Sequence, residues 1–302
     1  MISMSRVPLV PAMHRLAMFS IRRSGVGRER LFGLYRRAWA RMGRFQQRVT
    51  DRGVKLECDI GDRIPEFIFH FGHWEPNISY WIARRLEPGR IFVDVGANIG
   101  YYSLMASTIV GPGGGVVAVE ASPRIHQRLL RHVQLNHLRN VRTINAAVSD
   151  RSTRLTVFAG PDANSGATST LESWRHGTPE AEVDAQPLYK LLTESELQKV
   201  RLIKIDVEGG EAPILANLVN NMDRFPADVE IVVECSRSTD EDAWVEIFSQ
   251  FSGRGFHAFH IENEYTAQWY LNWRAPCGLK RITSLPLGQT DVLFTRDVNA
   301  GC

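Results

Sequence analysis

The sequence predicts an α/β fold, with an open, mostly parallel sheet and helices on both of its faces. Three observations indicate this class. Short apolar segments alternate with longer amphipathic ones, a turn with two glycines follows the first of the buried segments, and polar side chains end the segments that follow. Because such folds bind ligands at the carboxyl ends of their strands, we expect these polar side chains along one functional edge of the sheet.

The first predicted strand, 91–95 (IFVDV), leads into a turn that contains Gly96, Asn98 and Gly100. A dinucleotide fingerprint has a glycine at the position of Asn98, where the backbone must approach a pyrophosphate. The asparagine side chain would crowd a diphosphate, but it is compatible with a cofactor that has no phosphate, such as S-adenosyl-L-methionine (SAM). The turn therefore favours a SAM site over a nicotinamide site, and Asp94 and the three turn residues are candidates for cofactor binding.

The second predicted strand, 116–119, is followed by Glu120, which lies 20 residues beyond the last glycine of the turn. A carboxylate at this position can accept hydrogen bonds from both ribose hydroxyls of an adenosine cofactor. The third predicted strand, 141–148, contains Asn145 and Ala146, which we expect beside the adenine. These three residues complete the predicted cofactor site on this half of the sheet.

The predicted helices connect these strands. The first, 101–109, follows the glycine turn, and the second begins at Ser122 and Pro123, a capping residue and a first-turn proline. The apolar residues of the second helix recur at helical spacing, which predicts one buried face. We expect His126 and His132 on its opposite, solvent-exposed side.

Several segments, taken in order along the chain, resemble the motifs of the FkbM-like family of SAM-dependent methyltransferases. The segments that carry the resemblance are 94–100 (DVGANIG), 120–121 (EA), 145–150 (NAAVSD), 164–166 (NSG) and 205–211 (IDVEGGE). The resemblance covers roughly residues 65 to 235. It implies a Rossmann-like class I methyltransferase fold with a seven-stranded, mostly parallel sheet, SAM as the cofactor, and methyl transfer to a hydroxyl oxygen of a sugar, a glycan or a natural product, but it does not name the acceptor.

An upstream Glu-Pro segment is also similar to one that precedes the family's first strand. The resemblance makes Glu75 a candidate neighbour of the amino acid end of the cofactor. Glu75 could instead cap the predicted helix 77–86.

A hydroxyl acceptor benefits from a general base, and acids at the strand ends are the candidates. Asp206 and Glu208 follow the fourth predicted strand, 201–205, and we assign them as catalytic; Glu234, after the fifth strand at 229–233, is a weaker candidate. Asp206 could instead bond the backbone or the cofactor, and Glu208 and Glu211 could stabilise a helix start, where negative charge is favourable. We expect no metal, although oxygen ligands from the three acids would also suit Mg²⁺.

Two irregular regions are expected to recognise the acceptor. The region 160–187 is loop-like and polar, and 265–288 carries Tyr265, Trp269, Tyr270 and Trp273. Aromatic rings can bind a sugar, or they can pack a lid onto the core. The segment 291–295 is the last predicted strand.

The length of 302 residues suits one α/β domain with an addition. We predict a basic, partly helical extension over residues 1–52 and a methyltransferase domain over 53–298, with its core at 88–261. The extension holds 12 Arg against two acids, which leaves a net charge of −7 on the rest of the chain. A nucleic-acid groove would need clustered positive charge, so we expect a small-molecule or glycan acceptor and no nucleic acid.

Apolar residues in the extension recur at spacings of four and three, with arginines on the other faces. The apolar positions are Leu31, Tyr35, Ala38, Met42 and Phe45. This pattern is typical of a helix in peripheral contact with a membrane, and also of a helix packed on the domain with a solvated basic face. No apolar segment is long enough to span a bilayer. We therefore expect a cytoplasmic protein, with contact at the inner membrane face left open.

Two other functions remain as alternatives. One is a nicotinamide-dependent oxidoreductase, which the asparagine in the glycine turn disfavours. The other is a SAM-binding module without catalysis. The sequence does not determine the oligomeric state.

Overall fold

The computed structural model describes residues 9–24, 27–41, 43–161, 163–170, 178–236, 241–286 and 288–301. Within these ranges the strands are β1 (Phe45–Val49), β2 (Lys55–Asp59), β3 (Ile91–Val95), β4 (Gly115–Glu120), β5 (Val141–Asn145), β6 (Ala147–Val148), β7 (Thr153–Ala159), β8 (Thr178–Gln186), β9 (Val200–Ile205), β10 (Glu230–Ser236), β11 (His257–Ile261), β12 (Lys280–Ile282) and β13 (Gln289–Thr295). The helices are α1 (Leu9–Arg23), α2 (Arg28–Ala40), α3 (Arg63–Phe71), α4 (Pro76–Arg85), α5 (Tyr101–Val110), α6 (Pro123–Leu135), α7 (Leu188–Leu191), α8 (Glu194–Leu197), α9 (Glu211–Asn220), α10 (Glu241–Gly253) and α11 (Ala267–Asn272).

The central sheet has the strand order β5-β4-β3-β9-β10-β13-β11-β12. The strands from β5 to β10 are parallel, whereas β13 runs antiparallel to both of its neighbours and β12 runs antiparallel to β11. The predicted α/β class is confirmed. The predicted number of seven strands is wrong, because β12 adds an eighth at the edge; its three residues are too few for a periodic apolar pattern to indicate a strand.

The order of connections reverses at the middle of the sheet. From β3 the chain moves outward through β4 to β5, and from β9 it moves the other way to β10. Side chains on each strand alternate between two cores, with Phe92 and Leu202 in one, and Val93 and Ile203 in the other. The carboxyl ends of β3 and β9 therefore meet at the topological switch point, where open α/β sheets bind ligands.

A smaller sheet, with the order β6-β8-β7, follows β5. The predicted strand 141–148 is therefore not continuous, because the chain leaves the central sheet after Asn145 and Ala147 pairs with Ala185 of β8. The predicted loop region 160–187 likewise contains a strand in its last part, β8. The prediction missed β8 because its polar composition (TPEAEVDAQ) lacks an apolar run.

The extension is helical in part, as predicted, and the helices α1 and α2 form a hairpin. The predicted apolar face of α2 is wrong, because Phe32 and Trp39 are buried while Leu31 is exposed. The Phe32 ring lies 5.1 Å from that of Phe71, and the Trp39 ring lies 5.0 Å from that of Phe69. The large rings therefore determine which face packs against α3, since they bury the most apolar area. Met42 lies outside the described residues.

A β-hairpin follows the helices and crosses the predicted domain boundary at residue 52. Its strands β1 and β2 are antiparallel, with Phe45 opposite Asp59, so Phe45 is in a strand and not in the predicted helix. His132 of α6 accepts a hydrogen bond from the Glu57 N–H through Nε2 (3.1 Å) and bonds through Nδ1 to the Ile99 carbonyl (2.7 Å). This buried histidine thus joins the hairpin to the glycine turn.

The predicted surface position of His126 and His132 is wrong, because both side chains are buried. Burial lowers the pKa of each imidazole. None of the described helices combines the length and the hydropathy that crossing a bilayer would require.

We predict that Trp39→Ala destabilises the whole chain. Trp39 is 5% exposed in the interface between α2 and α3, and loss of a buried Trp side chain costs about 3–5 kcal/mol. Leu34→Ala, on the exposed side of the same helix, is the matched control and changes the free energy of unfolding by less than about 0.5 kcal/mol. Urea denaturation measures both; equal midpoints for the two variants would contradict the packing of the extension on the domain.

Candidate active site

Gly96 brings the ends of β3 and β9 together at the switch point. Its φ is +77°, and a Cβ added to it would lie 1.8 Å from the carbonyl oxygen of Asp206. The N–H of Asp206 in turn donates to the carbonyl of Val95 at 3.0 Å. Only glycine allows both this left-handed conformation and this close approach. The first glycine of the turn therefore determines where the catalytic candidate Asp206 lies.

Glu120 holds the glycine turn in place. Its Oε2 accepts from the Asn98 N–H and its Oε1 from the Ser122 N–H, each at 2.8 Å. Burial raises the pKa of Glu120 to about 7, although the two amides act to lower it. Asn98 has a φ of +50°, which asparagine tolerates better than most residues, and its own Oδ1 accepts from the Ile99 N–H at 2.7 Å.

A cavity opens beside this turn, and we name it the cofactor cavity. Of the predicted site residues, those that line it are Gly96, Asn98, Glu120, Ala146, Asp206 and Glu208. Gly166, Thr168 and Ser169 line it from the opposite side, so part of the polar segment after residue 160 also lies here.

Three predicted cofactor residues lie outside the lining and support it. Asp94 is buried beneath the turn, where its Oδ2 accepts from the Ser103 hydroxyl at 2.6 Å. Gly100 begins α5 with a φ of +92°, and a Cβ there would lie 2.5 Å from Leu129. Asn145 donates to the carbonyls at the end of β4, each at 2.9 Å, and so ties β5 to β4.

A second cavity adjoins the first, and we name it the neighbouring cavity. Its lining is Arg63, Ile64, Trp74, Glu75, Asn164, Ala167, Asp206, Glu208, Glu234, Tyr265 and Gln289. Three of these residues, Ile64, Asp206 and Glu208, line both cavities. The two catalytic candidates therefore lie where a ligand in one cavity would meet a ligand in the other.

Glu75, the remaining predicted cofactor residue, belongs to the neighbouring cavity. It is buried, and its carboxylate accepts from the hydroxyls of Tyr102 (2.6 Å) and Tyr265 (2.7 Å). Its own N–H donates to the Tyr270 hydroxyl at 2.9 Å. The carboxylate makes no capping bond to α4, so the alternative role of helix cap is wrong. Burial raises the pKa of Glu75.

Lys204 is a site residue that the sequence analysis missed. It is buried, and its Nζ lies 2.7 Å from Oδ2 of Asp206 and 4.8 Å from the centre of the Tyr102 ring. Burial lowers the pKa of Lys204, but the negative charges of Asp206, Glu75 and Asp94 outweigh burial, so the pKa is raised. Its signal in the sequence is a lysine in a strand (VRLIKI) whose other buried residues are apolar.

Three acids converge where the cavities meet. Oxygen atoms of Asp206, Glu208 and Glu234 all lie within 4.8 Å of one another. Burial and the charge of Asp206 raise the pKa of Glu208 to about 8, and the same two causes raise the pKa of Glu234. Gln289 donates to Oε1 of Glu234, and the Tyr265 hydroxyl, which donates to Glu75, lies 3.3 Å from the same oxygen. Such a cluster suits a cationic ligand, and the expected absence of a metal stays a prediction.

The cofactor cavity fits a cationic sulfonium better than a pyrophosphate. Its described lining includes Glu120, Asp206 and Glu208 but no Lys, Arg or His. A diphosphate would thus meet carboxylates with no counter-charge in that lining, whereas SAM carries a positive charge. The switch point, the glycine contact and the acid Glu120 in the cavity lining are the features expected of a Rossmann-like, SAM-dependent methyltransferase.

Comparison with protein-family models identifies the particular family. The model of the methyltransferase FkbM domain matches residues 94–262, which is more than half of the chain. The chain belongs to the FkbM methyltransferase family, and its cofactor is S-adenosyl-L-methionine. The predicted family and cofactor are thereby confirmed. No curated protein matches the chain in sequence.

The chain is also similar to solved structures of methyltransferases. Fibrillarin from Aeropyrum pernix, in complex with natively bound S-adenosyl-L-methionine, is 16% identical over 70% of this chain and 68% of its own, with a TM-score of 0.39. Precorrin-6y C5,15-methyltransferase from Geobacter metallireducens is 13% identical over 72% and 87%, with a TM-score of 0.38. A SAM-dependent methyltransferase from Aquifex aeolicus is 12% identical over 73% and 89%, also with a TM-score of 0.38.

We predict that Gly96→Ala abolishes cofactor binding. Gly89→Ala is the matched control, since Gly89 has a φ of +82° but no atom within 4 Å of its added Cβ. Both variants carry the cost of a left-handed alanine, about 1–2 kcal/mol, and only Gly96→Ala also forces β3 away from β9. Urea denaturation and calorimetry with S-adenosylhomocysteine measure the two effects. Equal losses of affinity for S-adenosylhomocysteine in both variants would show that the contact between Gly96 and the end of β9 is unimportant.

We also predict that affinity for S-adenosylhomocysteine rises with pH. In its predicted role Glu120 accepts hydrogen bonds from both ribose hydroxyls only when it is ionised, and its pKa of about 7 means that it gains this form as the pH increases. The expected rise is about tenfold from about pH 6 to about pH 8. Calorimetry across this range measures it.

The controls for this pH dependence are two single variants. Glu120→Gln binds more weakly and with a flatter profile. Glu208→Gln keeps the rise, although it removes another carboxyl that titrates in this range. A wild-type affinity that is flat or falls with pH would contradict the role of Glu120.

Proposed function

We propose that the chain transfers a methyl group from SAM to a hydroxyl oxygen of a sugar, a glycan or a small natural product. The observation that carries the proposal is that Asp206 and Glu208 line both cavities. A donor in the cofactor cavity and an acceptor in the neighbouring cavity would meet at these two carboxylates. Holding two reactants in line supplies much of the acceleration of a displacement.

Asp206 and Glu208 are proposed to receive the proton of the acceptor hydroxyl. SAM supplies a methyl group activated by the positive charge of its sulfonium. Glu208, with a pKa of about 8, holds a proton in the free protein at neutral pH. A cationic ligand beside it lowers that pKa, so the carboxylate becomes available as a base when the donor is in place. The ion pair between Lys204 and Asp206, at 2.7 Å, holds the Asp206 side chain in position.

The neighbouring cavity supports an acceptor rich in hydroxyl groups. The rings of Trp74 and Tyr265 lie 5.4 Å apart at 30°, which offers an apolar surface of the kind that sugar rings contact. The amides of Asn164 and Gln289 and the carboxylate of Glu234 provide hydrogen-bonding groups on the same lining. Four acidic side chains and one arginine, Arg63, line this cavity, a balance that disfavours a polyanionic acceptor and supports the expectation of no nucleic acid.

A cytoplasmic location is part of the proposal and stays a prediction. Cys58 and Cys235 are buried free thiols, and Cys277 is a free, exposed one. Free thiols are usual in a reducing compartment. Residue 52 is also proposed as the boundary between the extension and the domain, because the net charge is strongly positive before it and negative after it.

We predict that Asp206→Asn and Glu208→Gln each lower kcat by about 10²–10⁴-fold, the range that general base catalysis contributes. Asp223→Asn is the matched control, because the Asp223 side chain is 87% exposed. The assay follows transfer of a labelled methyl group from SAM to a panel of sugars and polyketide alcohols. Calorimetry with S-adenosylhomocysteine confirms in parallel that the variants still bind the cofactor.

Full turnover in both variants would contradict the proposed base. A wild-type chain that binds S-adenosylhomocysteine but transfers no methyl group to any hydroxyl would instead favour the non-catalytic alternative. The same assay with a chelator tests the metal: loss of turnover that Mg²⁺ restores would make Asp206, Glu208 and Glu234 ligands, and full activity would exclude that role.

A further inference from the structure

The helix α1 exposes an apolar face that the described part of the chain does not cover. His14, Met18 and Ile21 form its buried side, one above the other at helical spacing. On the other side Leu16 and Phe19 are exposed, and Met13 lies next to them; the three side chains are between 59 and 69% exposed. Large apolar side chains grouped in this way on a soluble surface indicate an interaction site.

The helix α2 also exposes an apolar side chain, with arginines beside it. At about 100° per residue, Leu34 lies opposite the buried Phe32 and Trp39, and Arg30 and Arg37 lie beside it. Residues 9–41 contain eight arginines and one acid. The outer faces of the two helices therefore combine exposed apolar groups with a strong positive charge.

The hairpin presents these faces from a fixed position. The rings of Phe32 and Trp39 pack on α3, and Arg36 donates to Glu66 of α3 through two nitrogens, at 2.6 and 2.7 Å. The buried faces are thus used for attachment to the domain, and the outer faces are left for a partner. This arrangement differs from a solvated basic helix, in which the outward face would be polar throughout.

We propose that the α1–α2 hairpin docks on the surface of an anionic lipid bilayer. Apolar side chains would enter the boundary between headgroups and acyl chains while the arginines contact the lipid phosphates and carboxylates. Charge complementarity identifies an anionic surface as the occupant, because the hairpin is strongly basic. The rest of the chain is acidic, so the hairpin is the part that such a surface would attract. A nucleic acid would match the arginines but not the exposed Leu16 and Phe19, so a bilayer fits the whole surface better.

The experiment is co-sedimentation of the full chain with vesicles of phosphatidylcholine, with and without one quarter phosphatidylglycerol. We expect the bound-to-free ratio to be at least about tenfold higher on the anionic vesicles and to fall as salt is raised from about 0.1 M. Leu16→Ser/Phe19→Ser reduces it by about tenfold or more. Val245→Ser, at an exposed valine (64%) outside the hairpin, is the matched control and leaves it unchanged.

The single variants Arg30→Gln and Arg37→Gln test the charge separately. Each lowers the bound-to-free ratio on the anionic vesicles by about fivefold. Circular dichroism shows whether every variant keeps the wild-type fold. The proposal is overturned if wild-type chain fails to pellet with anionic vesicles, or if Leu16→Ser/Phe19→Ser pellets as the wild type does. Binding of an RNA oligonucleotide that depends on the arginines but not on Leu16 and Phe19, without vesicle binding, would assign the surface to nucleic acid.

Discussion

The contact between Gly96 and the carbonyl of Asp206 is the constraint on which the site depends. A Cβ at Gly96 would lie 1.8 Å from that oxygen, so any other residue would separate β3 from β9 at the switch point. Asp206 is also bonded to Val95 through its N–H, and Glu120 holds the amide of Asn98 two residues further along the turn. The shape of the cofactor cavity and its boundary with the neighbouring cavity both depend on how closely the ends of these two strands approach each other.

Charge explains why this arrangement suits a sulfonium cofactor. Carboxylates of Glu75, Asp206, Glu208 and Glu234 are gathered around the two cavities, and Lys204 is the buried cation paired with Asp206. Burial and mutual repulsion raise the pKa of most of these acids, so the free protein holds part of its charge as bound protons. A cationic ligand would replace those protons. The same acidic lining that disfavours a dinucleotide would therefore favour SAM. Binding of SAM would leave a deprotonated carboxylate beside it, available as a base.

The strands and the cofactor turn could be predicted from the sequence because each combines an apolar run with a glycine or acid at a fixed position. The sheet edge could not, since β12 is too short and β8 too polar to show a pattern. Glu120 and Asp206 could be predicted to lie at the candidate site because each stands at the end of a strand. Lys204 was missed because its role depends on residues far away in sequence, such as Glu75 before α4 and Tyr102 of α5. The buried face of α2 was assigned wrongly because helical spacing alone does not weigh Trp39 above Leu31.

The most direct test of the account is calorimetry of S-adenosylhomocysteine and NAD with the wild-type chain and Glu120→Ala. Glu87→Ala, at a half-exposed acid (57%) outside both cavities, is the matched control. The account predicts that S-adenosylhomocysteine binds the wild type and the control equally and binds Glu120→Ala at least about tenfold more weakly, because two hydrogen bonds to a charged group are lost. NAD should give no binding. Binding of NAD, or unchanged affinity in Glu120→Ala, would contradict it.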